Sequence, residues 1–167
     1  MIVLFRHANV IQYKESFLDV NSHTLCLVME YAEKGDILQK IEHHFKRHTT
    51  IPEYELWSAV IQSLCGLKAL HDLKVMHRDI KCANILVSGA GELKLADFNV
   101  SKVVSHKEGF LHTQTGTPYY ASPEVWKDRP YDFKSDIWSL GCVLYEMAAL
   151  RPPFKAKDMA GLYRKVV

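Results

Sequence analysis

The chain has 167 residues, 48% of them hydrophobic, and a net charge of +2. One domain of this length buries roughly 70% of its unfolded surface on folding, so a real core is available. The near-neutral balance gives no electrostatic case for a nucleic-acid or membrane-surface partner. No apolar run approaches the roughly 20 residues of a spanning helix, and Met1-Ile2-Val3-Leu4-Phe5-Arg6 is too short for a signal peptide.

In chain order, residues 1–29 hold a His7-Ala8-Asn9-Val10-Ile11 element. Two runs at 13–18 and 24–29 then read as strands around the turn Asp19-Val20-Asn21-Ser22-His23. Asp36 precedes a helix at 37–43 and suits its N-cap. His43, His44 and His48, beside Lys46 and Arg47, read as a solvated helix end in preference to a metal site. Thr50-Ile51-Pro52-Glu53 has the spacing of a capping box with an early proline. The following helix carries apolar residues at 56, 57, 60, 61, 64, 67 and 70, which predicts a broad buried face, with Trp57 as a packing residue. It ends near His71-Asp72. The stretch 135–147 reads as a helix apolar on nearly all sides, and therefore buried. Arg151-Pro152-Pro153-Phe154 interrupts it, and a last helix begins within 157–167. The four cysteines, Cys26, Cys65, Cys82 and Cys142, form no C-x-x-C pair and read as reduced, mostly buried thiols.

The chemistry concentrates between His77 and Asn99. His77-Arg78-Asp79-Ile80-Lys81-Cys82-Ala83-Asn84 runs into the apolar segment 85–87. A polar break, Ser88-Gly89-Ala90-Gly91, precedes a second apolar segment at 93–96 and then Asp97-Phe98-Asn99. The two segments predict a hairpin. Pairing them brings Asn84 and Asp97 to one end, with Asp79 in the entering loop. Oxygen ligands beside a further carboxylate suit a hard divalent cation and a phosphate-bearing substrate.

This stretch resembles the catalytic loop and metal motif of eukaryotic protein kinases, H-R-D-x-x-x-x-N followed by D-F-G. The resemblance implies an α+β, protein-kinase-like fold: partial small-lobe β-strands plus a mostly helical large lobe. Residues 1–29 would be a small-lobe remnant that starts at the end of a helix, 30–36 the hinge and 37–167 the large lobe, incomplete at its C-terminus. It implies ATP and Mg2+ as cosubstrate and cofactor, and protein substrates with serine or threonine acceptors. Asp79 would orient the acceptor hydroxyl and take its proton, and Lys81 would neutralise the transferring phosphate. Asn84 and Asp97 would hold the metal. Met29 would be the gatekeeper, Glu30 and Ala32 would offer backbone groups to adenine, Asp36 would meet the ribose and Leu86 would form the floor beneath the base. Asp136 would bond backbone amides of the catalytic loop.

The segment after Asn99, rich in hydroxyls, matches an activation segment closed by Ser122-Pro123-Glu124. Thr113 and Thr115 would be phosphorylation sites, Arg78 would receive the phosphate, and Thr117 would bond near Asp79 and Lys81. The segments 28–36, 116–120 and 136–162 are similar to the NIMA-related branch. That likeness implies a cytoplasmic protein, with cytoskeletal, ciliary or cell-cycle roles. Three departures stand out. The glycine-rich loop, strand lysine and helix glutamate of the family would precede residue 1. Asn99 stands where the family has glycine, and Ser122 where it has alanine. The 167-residue chain alone is therefore expected to be a weak or inactive kinase. The alternative is a truncated or pseudokinase-like interaction module.

Overall fold

The structure, a computed structural model, describes residues 5–97, 118–130 and 132–167. The elements run β1 (Tyr13–Asp19), β2 (Thr24–Met29), α1 (Ile37–Lys46), α2 (Glu53–Asp72), a 3-10 turn (Cys82–Asn84), β3 (Ile85–Val87), β4 (Leu93–Leu95), α3 (Pro123–Trp126), α4 (Phe133–Ala149) and α5 (Met159–Val166). Helices and short antiparallel hairpins make the expected α+β architecture. Phe98, Asn99, Thr113, Thr115 and Thr117 lie outside the described residues.

β1 and β2 pair antiparallel, from Asp19 opposite Thr24 to Tyr13 opposite Met29. The Asp19 carboxylate closes the turn, accepting from Asn21 N at 3.0 Å and Ser22 Oγ at 2.6 Å. Phe17, Leu25, Leu27 and Met29 are exposed on this hairpin.

The second hairpin is the centre of the molecule. β3 and β4 pair with Ile85 opposite Leu95, Leu86 opposite Lys94 and Val87 opposite Leu93. Both outer edges are covered, which removes the hazard of an open sheet edge. On the β4 side, Leu95 N donates to Asn9 O (2.9 Å) and Ile11 N donates to Leu95 O (2.8 Å). On the β3 side, Val87 N donates to Gly35 O (2.8 Å) and Lys34 N donates to Val87 O (3.0 Å). The segment 7–11, expected to finish a helix, is instead a turn followed by a parallel bridge from Val10 to Leu95. Asn9 O and Ile11 N are committed to β4 and so are not available to a helical ladder, and the Asn9 side-chain amide donates to Leu93 O (2.9 Å) and Gln62 Oε1 (3.0 Å).

α1 starts as expected: the Asp36 side chain accepts from Gln39 N at 2.8 Å. It runs to Lys46, one turn beyond its predicted end, and buries Ile37 and Ile41 on one face. The capping box before α2 does not form. Pro52 is the N-cap, no side chain caps the helix, and Pro52 O accepts from Glu55 N and Leu56 N. With the helix starting at Glu53, Thr50 lies too far upstream to reach its first amides. The buried face of α2 also differs from the predicted one. Ala59, Ser63, Gly66, Leu67 and Leu70 point inward, whereas Trp57, Ile61 and Leu64 are exposed. Small residues win the inner face because the chain crosses closely there: a Cβ on Gly66 would sit 2.5 Å from Asn9 O.

α4 begins two residues before the predicted start, where Asp132 and Ser135 form a reciprocal capping box. It buries Leu140, Val143 and Met147 in the main core with Leu67, Leu70 and Ile85. Leu150 ends it in a left-handed conformation (φ 54°). Trp126, Leu162 and Val166 form a smaller core, bordered by Trp138 stacked on Phe154 at 5.7 Å. Cys82 and Cys142 are buried as expected, but Cys65 is exposed. Among the described residues, no helix is long and apolar enough to cross a membrane.

Candidate active site

The loop after α2 is fixed from beneath by one carboxylate. Asp136 is fully buried in the first turn of α4. Its Oδ2 accepts from His77 N at 2.9 Å and contacts His71 Nε2 at 2.8 Å; its Oδ1 accepts from Arg78 N at 2.9 Å. His77 is itself fully buried, and that burial pushes its imidazole below the ordinary range and favours the neutral ring. Arg78 is exposed and sits at φ 69°, a left-handed conformation that a long side chain seldom adopts. Held in that bend, the next residue, Asp79, turns toward the hairpin.

Asp79 is the hub of the site. Its Oδ2 accepts from Lys81 Nζ at 2.8 Å and from Asn84 Nδ2 at 2.9 Å, and its carbonyl accepts from the same Asn84 nitrogen at 2.8 Å. The 3-10 turn Cys82–Asn84 makes this possible: Asn84 N donates to Lys81 O at 3.0 Å, folding the amide back over the loop. Asn84 is buried, with the donor side of its amide committed to Asp79, so its oxygen is the atom that could serve a metal. Ala96 N donates to Asn84 O at 2.9 Å, which sets Asp97 next to Asn84 at the open end of the hairpin. Asp97 is exposed and left-handed, at φ 59°. Two left-handed residues with side chains at one site, Arg78 and Asp97, mark backbone held by its surroundings.

Of the residues expected around a nucleotide, Asp36 and Leu86 meet at the β3 edge. Asp36 bridges antiparallel to Leu86, so the two expected base and ribose contacts are neighbours. Ala32 and Leu86 are half-buried, and Met29 is exposed. Glu30 is tied down through both carboxylate oxygens, to Gln12 N at 3.2 Å and to Lys94 Nζ at 2.8 Å.

Two features went unread in the sequence. Lys94, in the middle of β4, is buried and ion-paired. Glu146 of α4 is also buried, accepting from Tyr120 Oη at 2.7 Å and from Cys82 Sγ at 3.6 Å. Burial pushes both the Cys82 thiol and the Tyr120 phenol well above their ordinary values. A charged residue in an apolar strand was the available signal for Lys94; nothing local announces the Tyr120–Glu146 pair, whose members are 26 residues apart.

The protein kinase domain family matches residues 1–167. The chain belongs to the protein kinase family. Its relatives lie on the NIMA-related branch. Serine/threonine-protein kinase Nek3 of Mus musculus is 39% identical over 99% of the chain, Nek1 of Mus musculus 40% over 97%, and Nek2 of Homo sapiens 39% over 96%. The chain spans only 32%, 13% and 38% of those proteins, respectively.

Proposed function

We propose that the protein is a NIMA-related serine/threonine kinase that transfers the ATP γ-phosphate to protein hydroxyls. The observation that carries this reading is the convergence of Lys81 and Asn84 on Asp79, with Asp97 beside Asn84 across the hairpin end. Asp79 presents a carboxylate as acceptor for the substrate hydroxyl proton. Lys81, 2.8 Å from it, brings positive charge to the transferring phosphoryl group. Such a site works by positioning and by fixed charge more than by covalent chemistry.

Magnesium fits the donor set. Asn84 and Asp97 offer an amide oxygen and a carboxylate, the hard ligands this ion takes, and too few of them for a closed protein cage. Among the described residues, no group of three or more His, Cys, Asp or Glu side chains could hold a metal by itself. That suits an ion completed by substrate phosphates. When bound, it would neutralise charge on the β- and γ-phosphates. Residues 30–36 serve as the hinge between a small-lobe segment, 1–29, and the large lobe, 37–167. Met29 stands at the gatekeeper position, the backbone of Glu30 and Ala32 meets the adenine edge, Asp36 the ribose and Leu86 the base. Arg78 receives phosphate from Thr113 or Thr115, and Thr117 bonds near Asp79. The branch suggests cytoplasmic, cytoskeletal or ciliary work. No observation favours the non-catalytic alternative.

In the full-length protein, Asp79→Asn should remove phosphate transfer to a basic protein substrate by a factor of 100 or more (on the order of 3 kcal/mol of lost stabilisation), while Mg-ADP affinity stays within about threefold. Asp97→Asn should weaken both. Loss of Mg-ADP binding in the Asp79 variant alone, or transfer at the wild-type rate, refutes the assignment.

A further inference from the structure

We propose that Lys94 is a positioning residue for nucleotide: its ammonium locks the carboxylate of Glu30 to the strand that delivers Asp97. The inference rests on the kinase reading above and assigns a new residue to that site.

A lysine in the centre of a three-residue apolar strand needs a reason. Lys94 is 6% exposed, between Leu93 and Leu95. Burying an ammonium without partners is costly enough that lysines rarely do it. This one has partners from three segments. Nζ donates to Ala8 O at 2.9 Å, pairs with Glu30 Oε1 at 2.8 Å and lies 3.9 Å from Glu92 Oε2. Glu30 is held from its other side by Gln12 N on its second oxygen, while its own N donates to Gln12 O at 2.8 Å. Ala8, Gln12, Glu30 and Lys94, with Arg6 and His7, line a cavity of about 290 Å³.

The register says which way this cluster acts. Lys94 pairs with Leu86, and cross-strand partners share a face, so the lysine lies on the face of the hairpin that carries the proposed floor for the base. Two residues on, Ala96 N bonds Asn84 O, and Asp97 follows. One ammonium therefore joins the start of the hinge, the strand beneath the base and the approach to the metal carboxylate. Hinge carbonyl and Asp97 keep a fixed separation before nucleotide arrives, and the ordering cost of binding is reduced accordingly.

Removing the ammonium leaves the Glu30 carboxylate its Gln12 contact and cuts the direct link between the start of the hinge and β4, while the bonds of Lys34 and Gly35 to Val87 remain. Such a change acts on nucleotide affinity before it acts on transfer. The test uses the full-length protein, with kcat and KM for ATP and Mg-ADP affinity measured on Lys94→Met, Lys94→Arg, Glu30→Gln and the double variant Lys94→Met/Glu30→Gln. Folded fraction is checked by thermal melting. Lys94→Met should raise KM for ATP and the Mg-ADP Kd fivefold or more, with kcat falling by a smaller factor. Lys94→Arg, which keeps a cation within reach of Glu30, should recover most of the loss. The double variant should be no worse than the poorer single one, because both remove the same link. If Lys94→Met does not fold, Glu30→Gln carries the test, since it leaves the lysine and its Ala8 bond in place. Unchanged KM and Kd in folded Lys94→Met and Glu30→Gln overturn the proposal. So does an equal fall of kcat at constant KM, the mark of a purely structural residue. A wild-type protein that neither binds Mg-ADP nor transfers phosphate overturns the kinase reading and this inference with it.

Discussion

Asp136→Asn isolates the anchor of the catalytic loop. Among the described residues, three donors converge on this buried carboxylate: His77 N and His71 Nε2 at Oδ2, and Arg78 N at Oδ1. An amide in its place keeps one acceptor. Two donors meet at Oδ2 and one at Oδ1, so the amide oxygen should take the Oδ2 position and leave an NH2 facing Arg78 N. One largely desolvated N–H then loses its acceptor, at a cost of about 1–3 kcal/mol. Asp136→Ala strands all three donors and should cost roughly twice that or more. Domains are stable by only about 5–15 kcal/mol, so the alanine variant approaches the limit of folding. Urea unfolding at pH 7 measures both losses, and in a chain of this length each kcal/mol should appear as about 2–4 °C in Tm. Amide hydrogen exchange gives the finer reading: Arg78 N should lose protection in Asp136→Asn while His77 N keeps most of its own. A stability loss below about 0.5 kcal/mol with unchanged exchange at Arg78 would show that the loop is held by something else.

Two further predictions follow from packing and burial. Gly66→Ala places a methyl group 2.5 Å from Asn9 O, a backbone atom pinned between α2 and β4, so the segment 9–11 must shift. The loss should be about 1–3 kcal/mol by urea unfolding, and a neutral substitution would show that this crossing is loose. Thiol alkylation at pH 8 should modify exposed Cys65 first, while Cys142, buried and pushed up to about 11, reacts only as pH rises toward that value or on unfolding. Equal labelling rates at pH 8 would contradict its burial.

Local spacing wrote much of the site into the sequence. Asp79 and Asn84 are five residues apart on one loop, and Asn84 and Asp97 flank two apolar segments with a short glycine-containing break. A tight hairpin has only one way to bring those ends together. Strands β1 and β2 and the Asp36 cap were legible for the same reason, since each depends on neighbours a few residues away. The faces of α2 were not. Its apolar residues lie on two sides, and periodicity ranks Trp57 and Ile61 above Ala59 and Gly66. Only the approach of Asn9 to Gly66 makes small residues the inner ones. The bridge of 7–11 to β4 was likewise set by a partner far along the chain. Lys94 is the clearest case. In sequence it is a charge between two leucines, and the partners that bury it are out of view. Its burial follows from Glu30 and Ala8, distant segments that the fold brings to one ammonium. Elements and motif spacing are set by contacts along the chain, and those the amino-acid order states directly. Which face is buried and which charge is paired depend on contacts across it, and those are decided when the layers close.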